Sequence, residues 1–143
     1  CQNVSDGRFI TAMVGLLAMD AGRFQFVNAG HFSPFVFRGN DRIEEVPIES
    51  ALPLGIDPDY PYEVAEIMLP DRPSTMLMYT DGVIDAKNEQ GENFGPERLS
   101  AALKSNVDEP PGELIARLRR SIKQFTRATA QTDDITLLAI RLD

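Results

Sequence analysis

The hydrophobic period changes near residue 95, and this change constrains the fold more than any other feature. Before it, apolar residues form continuous or alternating runs that are typical of β-strands. Short turns separate these runs, and they include the Gly39-Asn40-Asp41 turn. We predict six strands that form an antiparallel meander, in the segments 8–20, 23–30, 33–48 (a strand, a turn and a second strand), 62–69 and 74–80.

After that point the apolar residues recur at helical spacing. Pro96 stands at a favourable first-turn position, and Leu99, Ala102 and Leu103 follow on one side. A second helix is predicted from "PPGELIARLRRSIKQFTRA", whose apolar face carries Leu114, Leu118, Ile122 and Phe125. The apolar segment 135–142 predicts a closing strand. This order indicates the α+β class, with an antiparallel sheet or sandwich, a helical layer on one face, and one domain.

Charge and cysteine content exclude several classes of function. The net charge of −8 disfavours a nucleic-acid partner, and no apolar run is long enough to cross a membrane. Cys1 is the only cysteine, which favours a reducing cytoplasm. Because the chain starts with "CQNVSDG", without an initiator Met or a signal-like segment, we expect a piece of a longer protein.

Two acidic strand ends are the candidate site. Asp81 follows segment 74–80, and Asp133 and Asp134 precede segment 135–142. If these strands pair antiparallel, the carboxylates of Asp81 and Asp133 converge and need a compensating cation, which favours a divalent metal ion. Gly82 would let backbone and water approach such an ion. The alternative, an ordinary Asp-Gly turn and an unrelated loop end, stays open on the residues alone.

Four segments together resemble a known family. "FVNAGHFSPFVFRG", "LPLGI", "LMYTDGVIDAKNEQGENFG" and "QTDDITLLAIRL" resemble, in order and spacing, the SpoIIE and RsbU type of metal-dependent serine/threonine phosphatase. This is the bacterial branch of the PP2C-like (PPM) phosphatases. The resemblance spans essentially all 143 residues. It implies a β-sandwich flanked by helices, with a centre of two Mn²⁺ or Mg²⁺ ions between the sheets.

The resemblance also implies site residues and a mechanism. Asp81 and Asp133 match metal-ligand aspartates, whereas Asp134 is expected to lie beside them. A metal-bridging hydroxide would attack the phosphorus of phosphoserine or phosphothreonine directly, without a phosphoenzyme. His31, the only histidine, falls in the "NAGH" hairpin, and we expect it to support the structure or contact a ligand rather than to bind the metal.

One departure from the family limits these expectations. Family members carry earlier "GDxxD"-like and "DVxGHG"-like segments that supply a bridging aspartate and a glycine carbonyl ligand, and neither is present here. The chain therefore resembles the C-terminal half to two thirds of the catalytic domain, with about half of the metal centre. Either a longer protein is active, or this is an inactive module that binds a phosphorylated partner or a regulator.

Partners follow from the resemblance. We expect a phosphorylated protein substrate such as a STAS-like anti-anti-sigma factor, with an attached sensor or receiver domain; a dimer is left open. Arg117, Arg120, Lys123 and Arg127 surround the second helix, where they form either a solvated face or a docking site for an acidic protein. A haloacid-dehalogenase-type phosphatase is excluded, because its chemistry needs an aspartate at position 79, which is Tyr79.

Overall fold

A computed structural model describes residues 8–38, 42–49, 51–69, 73–106, 109–131 and 133–143. The chain divides into two compact units, one of Cys1–Ser33 and Val46–Pro70 and one of Pro34–Glu45 and Asp71–Asp143. The elements in chain order are β1 (Ala12–Ala18), β2 (Arg23–Ala29), β3 (Phe35–Arg38), β4 (Arg42–Glu45), β5 (Val64–Met68), β6 (Ser74–Tyr79), α1 (Asp81–Ile84), α2 (Gly95–Lys104), α3 (Pro111–Thr126) and β7 (Leu137–Leu142).

The first unit contains a three-stranded antiparallel sheet in the order β1-β2-β5. Alternation sets its two faces, because successive side chains of a strand point to opposite sides. Phe24 and Phe26 are both buried on one face, and their rings stack with centroids 5.1 Å apart. The other face is open, since Val14, Leu16 and Val64 expose 71%, 79% and 70% of their surface. Polar side chains share this face, namely Arg23, Gln25 and Glu66.

The second unit contains a four-stranded antiparallel sheet in the order β4-β3-β6-β7. Its central strands β3 and β6 are buried on both faces: Phe35 and Leu77 lie on one face, and Val36 and Met76 on the other. A strand buried on both faces reads as a continuous apolar run, which explains the lack of alternation in "STMLMY".

Helices α2 and α3 cover one face of this sheet. Leu99 and Leu103 of α2, with Leu114, Leu118 and Ile122 of α3, are buried in one cluster. Strand side chains complete this cluster, among them Phe35, Phe37, Leu77 and Tyr79. Burial of one such large apolar side chain stabilises a fold by about 1.5 to 3 kcal/mol. The predicted helices, their apolar faces and the α+β class are confirmed.

The predicted single meander is wrong. The chain leaves the first sheet after β2, returns to it for β5, and leaves it again for β6. The reason is physical: alternation records which side chains are buried, but carries no information on which strand accepts the backbone hydrogen bonds. No helix among the described residues has the length and apolar character needed to span a membrane.

Candidate functional site

Strands β6 and β7 bring the two acidic segments together. The strands pair antiparallel, with Tyr79 opposite Leu137 at the end of the ladder. One further backbone bond follows, in which the Thr80 N–H donates to the Thr136 carbonyl at 3.2 Å. The predicted pairing of these strands is confirmed, and Asp81 and Asp133 each lie within three residues of its last bond.

A threonine hydroxyl extends this connection to Asp134. The Thr80 hydroxyl donates to the Asp134 carbonyl at 2.9 Å and accepts from the Thr136 N–H at 2.9 Å. This side chain therefore satisfies two backbone groups where the regular ladder has ended. Sequence reasoning missed Thr80; the available signal was a hydroxyl residue at a strand end, directly before an acidic turn.

Gly82 is fixed by close packing. It is buried, and a Cβ at this position would collide with the carbonyl oxygen of Asp134 and stand 3.3 Å from the carbonyl carbon of Asp133. Any other residue would push the two acidic segments apart. The structure thus supplies a packing reason for this glycine, beside the predicted access for an ion.

Local hydrogen bonds orient both carboxylates. Asp81 Oδ1 accepts from the Gly82 N–H at 2.9 Å, and Asp133 Oδ1 accepts from the Asp134 N–H at 2.7 Å. Both side chains are exposed. Asp81 is also the first residue of α1, so the Asp-Gly pair begins a single helical turn. Within the described ranges, neither carboxylate forms an ion pair with a lysine or arginine.

These aspartates fit part of a metal centre. Carboxylate oxygens are the donors that Mg²⁺ and Mn²⁺ prefer, and each aspartate keeps Oδ2 free of hydrogen bonds from the described residues. However, no group of three or more His, Cys, Asp or Glu side chains that could hold a metal ion occurs among the described residues. The part of the chain that the structure describes offers two oxygen ligands rather than a complete cage.

His31 and Asp134 occupy different surroundings. His31 belongs to the first unit, where its N–H donates to Asn28 Oδ1 at 2.8 Å and its carbonyl accepts from Asn28 Nδ2 at 3.0 Å. The "NAGH" segment joins β2 and β3, which lie in separate sheets, so the predicted hairpin at this position is wrong. The side chain of Asp134 is exposed, and its carbonyl makes the bond to Thr80.

A basic groove lies beside the acidic segments within the second unit. Its volume is about 650 Å³, and Gly82 and Asp133 form part of its wall. Four cationic side chains line it: Lys87, Arg119, Arg120 and Lys123. Of the four basic residues noted in the sequence, only Arg120 and Lys123 line this groove. Arg119 and Lys87 were missed, because they are distant in the chain and converge only after folding.

The family follows from comparison with known proteins. A family model described as Stage II sporulation protein E (SpoIIE) matches residues 1–143. The chain belongs to the SpoIIE family. Among curated proteins, it is 27% identical over 132 residues to Protein IcfG of Synechocystis sp. (strain ATCC 27184 / PCC 6803 / Kazusa); this match covers 92% of the chain and 20% of IcfG.

Two solved phosphatase domains share the fold of this chain. The SiaA-PP2C domain of Pseudomonas aeruginosa superposes with a TM-score of 0.77 at 24% identity, over 93% of this chain and 52% of that one. The phosphatase domain of SpoIIE from Bacillus subtilis, presoaked with Mn, gives a TM-score of 0.71 at 21% identity, over 93% and 56%.

These matches confirm the resemblance and the fold class. The chain has the fold of PP2C-like phosphatase domains, and it spans only about half the length of those two solved domains and a fifth of IcfG. It therefore corresponds to part of a domain with this fold.

Proposed function

We propose that the chain is the C-terminal half to two thirds of a metal-dependent protein serine/threonine phosphatase domain. The observation that carries the proposal is the pairing of β6 with β7, which sets Asp81 and Asp133 at neighbouring strand ends in a member of the SpoIIE family. The substrate would be phosphoserine or phosphothreonine on a signalling protein, such as an anti-anti-sigma factor.

In this proposal Asp81 and Asp133 hold Mn²⁺ or Mg²⁺. Bound divalent ions would lower the pKa of water and offset the charge of the phosphoryl oxygens. The chain itself supplies position: Thr80 ties the Asp134 backbone to β6, and Gly82 lets the two acidic segments pack closely. The Mn-presoaked SpoIIE domain, which shares the fold, supports manganese as the first ion to test.

The remaining ligands would come from outside the described residues. Two carboxylates form only part of a cage, so we expect weak metal affinity for residues 1–143 alone and tight binding for the full-length protein. An attached sensor or receiver domain is also a prediction for the full-length protein, as is its presence in the cytoplasm.

A second candidate is an inactive module that binds a phosphorylated partner or a regulator. It is favoured by one observation: the described residues provide no cluster of three or more metal-binding side chains. A full-length protein that contains a further bridging aspartate would support the enzyme, and one that lacks it would support the module.

The deciding experiment measures Mn²⁺-dependent hydrolysis of a phosphoserine protein by the full-length protein. Asp81→Asn and Asp133→Asn should each lower kcat/KM by more than about 100-fold, because loss of a ligand exceeds the 10- to 100-fold effect of outer partners. Mn²⁺ affinity, measured by calorimetry, should fall in the same variants. Unchanged activity and affinity in both variants would reject the site.

Asp85→Asn is the matched control. Asp85 is exposed and only four residues from Asp81, but its carboxylate accepts from Asn93 at 3.1 Å. This substitution removes the same charge without touching either proposed ligand, so activity and Mn²⁺ affinity should stay at the wild-type level. An equal loss in the control would mean that general charge, rather than ligation, supports the activity.

A further inference from the structure

The basic groove is unusual for this chain because of its charge. The chain has 22 acidic and 14 basic residues, yet four of those 14 line one groove, where Asp133 is the single acidic residue among the described lining residues. The cations come from two elements: Lys87 follows α1, whereas Arg119, Arg120 and Lys123 lie on α3. Such a groove attracts anions, although the molecule as a whole repels them.

The groove cations differ from the other arginines near α3. Arg117 pairs with Glu109 at 2.7 Å, and Arg98 lies 4.7 Å from the centre of the Phe125 ring and donates to the Phe94 carbonyl. Among the described residues, none forms an ion pair with Lys87, Arg119, Arg120 or Lys123. Arg117 and Arg98 are therefore engaged by other groups of the fold, whereas the four groove cations are available to a ligand.

The spacing along α3 gives the groove a length. Ala116, the adjacent pair Arg119 and Arg120, Lys123 and Thr126 follow one another at intervals of three or four and line one side of the groove. At 1.5 Å per residue, this stretch of helix is about 15 Å long, which matches four to five residues of extended peptide. Asp133 and Gly82, at the proposed metal site, form part of the same wall.

We propose that this groove docks an acidic segment of the protein substrate, within about four residues of the phosphorylated side chain. This inference rests on the proposed phosphatase function and adds a substrate preference to it. Exposed cations mainly raise the rate at which an acidic substrate associates and lower its KM, and salt screens this effect. Each exposed ion pair contributes little, so three together should change kcat/KM by about tenfold at low salt.

The test compares two phosphoserine peptides with the full-length protein and Mn²⁺. One peptide carries glutamate on both sides of the phosphoserine, and the other carries glutamine at the same positions. The wild type should prefer the glutamate peptide by about tenfold in kcat/KM at low ionic strength, and the preference should shrink in 0.5 M salt. The triple variant R119Q/R120Q/K123Q should show almost no preference. R117Q is the control on the same helix and should keep it.

Two further measurements test the groove even if the triple variant misfolds or the protein shows no phosphatase activity. Ala116→Glu adds a carboxylate at an exposed groove position and leaves every cation in place, and it should also reduce the preference. Anisotropy of both labelled peptides measures the preference without any turnover. Equal binding of the two peptides by the wild type, or an equal loss in R117Q, overturns the groove assignment.

Hydrolysis of p-nitrophenyl phosphate separates the two proposals, because this substrate has no flanking residues. No Mn²⁺-dependent hydrolysis of it or of either peptide, with the binding preference intact, rejects the phosphatase and keeps the acidic docking groove. Hydrolysis without any peptide preference keeps the phosphatase and rejects the groove. Tighter binding of a DNA oligonucleotide than of the glutamate peptide also rejects it.

Discussion

The two sheets of this chain differ in what lies on their faces. In the second unit, α2 and α3 pack on the four-stranded sheet, and Leu99, Leu103 and Leu118 have no exposed surface. In the first unit, no helix occurs among the described residues, and Val14, Leu16 and Val64 face solvent. The difference teaches that the sheet of the second unit has a helical layer on one face, whereas the sheet of the first unit carries exposed apolar side chains of the kind that soluble proteins usually cover.

Truncation of a leucine in each unit should give the largest difference in the free energy of unfolding. Leu118→Ala leaves a cavity in a fully buried position and should lower the free energy of unfolding of residues 1–143 by about 2 to 5 kcal/mol. Leu16→Ala, at a side chain that is 79% exposed, should change it by less than about 0.5 kcal/mol. Urea denaturation measures both.

The same pair in the full-length protein sharpens the comparison. If another layer covers β1 there, Leu16→Ala should cost clearly more than in residues 1–143, while the effect of Leu118→Ala should stay the same. Equal costs for Leu16→Ala in the two proteins would show that the face stays open.

High pH should weaken the second unit through Tyr79. Burial, with a smaller contribution from the charge of Glu45, raises the pKa of Tyr79 to about 12 from an ordinary value of 10. The unfolded chain loses this proton near pH 10 while the folded chain keeps it. Stability from this group is therefore fully present below pH 10 and falls by roughly 2 to 3 kcal/mol as the pH rises towards 12. In Tyr79→Phe, denaturation between pH 9 and 12 should lack this component, and an identical slope would contradict it.

Substitution of two glycines of the second unit by alanine should change the stability in opposite directions. Gly82→Ala drives a methyl group into the Asp134 carbonyl and should cost about 1 to 3 kcal/mol. Gly112→Ala is the control, because a Cβ there meets nothing within 4 Å and α3 gains up to about 1 kcal/mol of helix propensity. Thermal unfolding compares the two variants, and a neutral Gly82→Ala would mean that the acidic segments adapt easily.

Polar substitutions on the open face should have the smallest effect on stability and a clear effect on solubility. The double variant V14T/L16T places β-branched residues at both positions of β1 and removes exposed apolar surface. We expect less than about 0.5 kcal/mol change per substitution and a higher solubility limit by light scattering. Val36→Thr, at a fully buried position of β3, is the contrasting control and should destabilise the fold.

Periodicity predicted most of the fold. The helical spacing of Leu114, Leu118 and Ile122 located the buried face of α3. The division of the strands between two sheets was not predictable, because Phe26 and Phe35 are equally buried but belong to different sheets. The sequence records burial, whereas sheet membership depends on long-range backbone pairing.

The candidate site was predicted in part for a similar reason. Antiparallel pairing of two apolar segments was enough to bring the Asp81 and Asp133 segments together. The roles of Thr80 and Gly82 depend on the Asp134 carbonyl, which is more than 50 residues away in the chain and becomes a neighbour only after folding. The position of Arg119 in the groove likewise depends on residues that become its neighbours only after folding.

The hydroxyl of Thr80 also protects the alignment of the two strands against slippage. A slip of one residue would turn each side chain of β7 to the opposite face of the sheet and would break both bonds of this hydroxyl, to the Asp134 carbonyl and to the Thr136 N–H. The relative position of the two acidic segments therefore depends on the register of β6 and β7. A chain that folded with these strands misaligned would also have a misplaced candidate site.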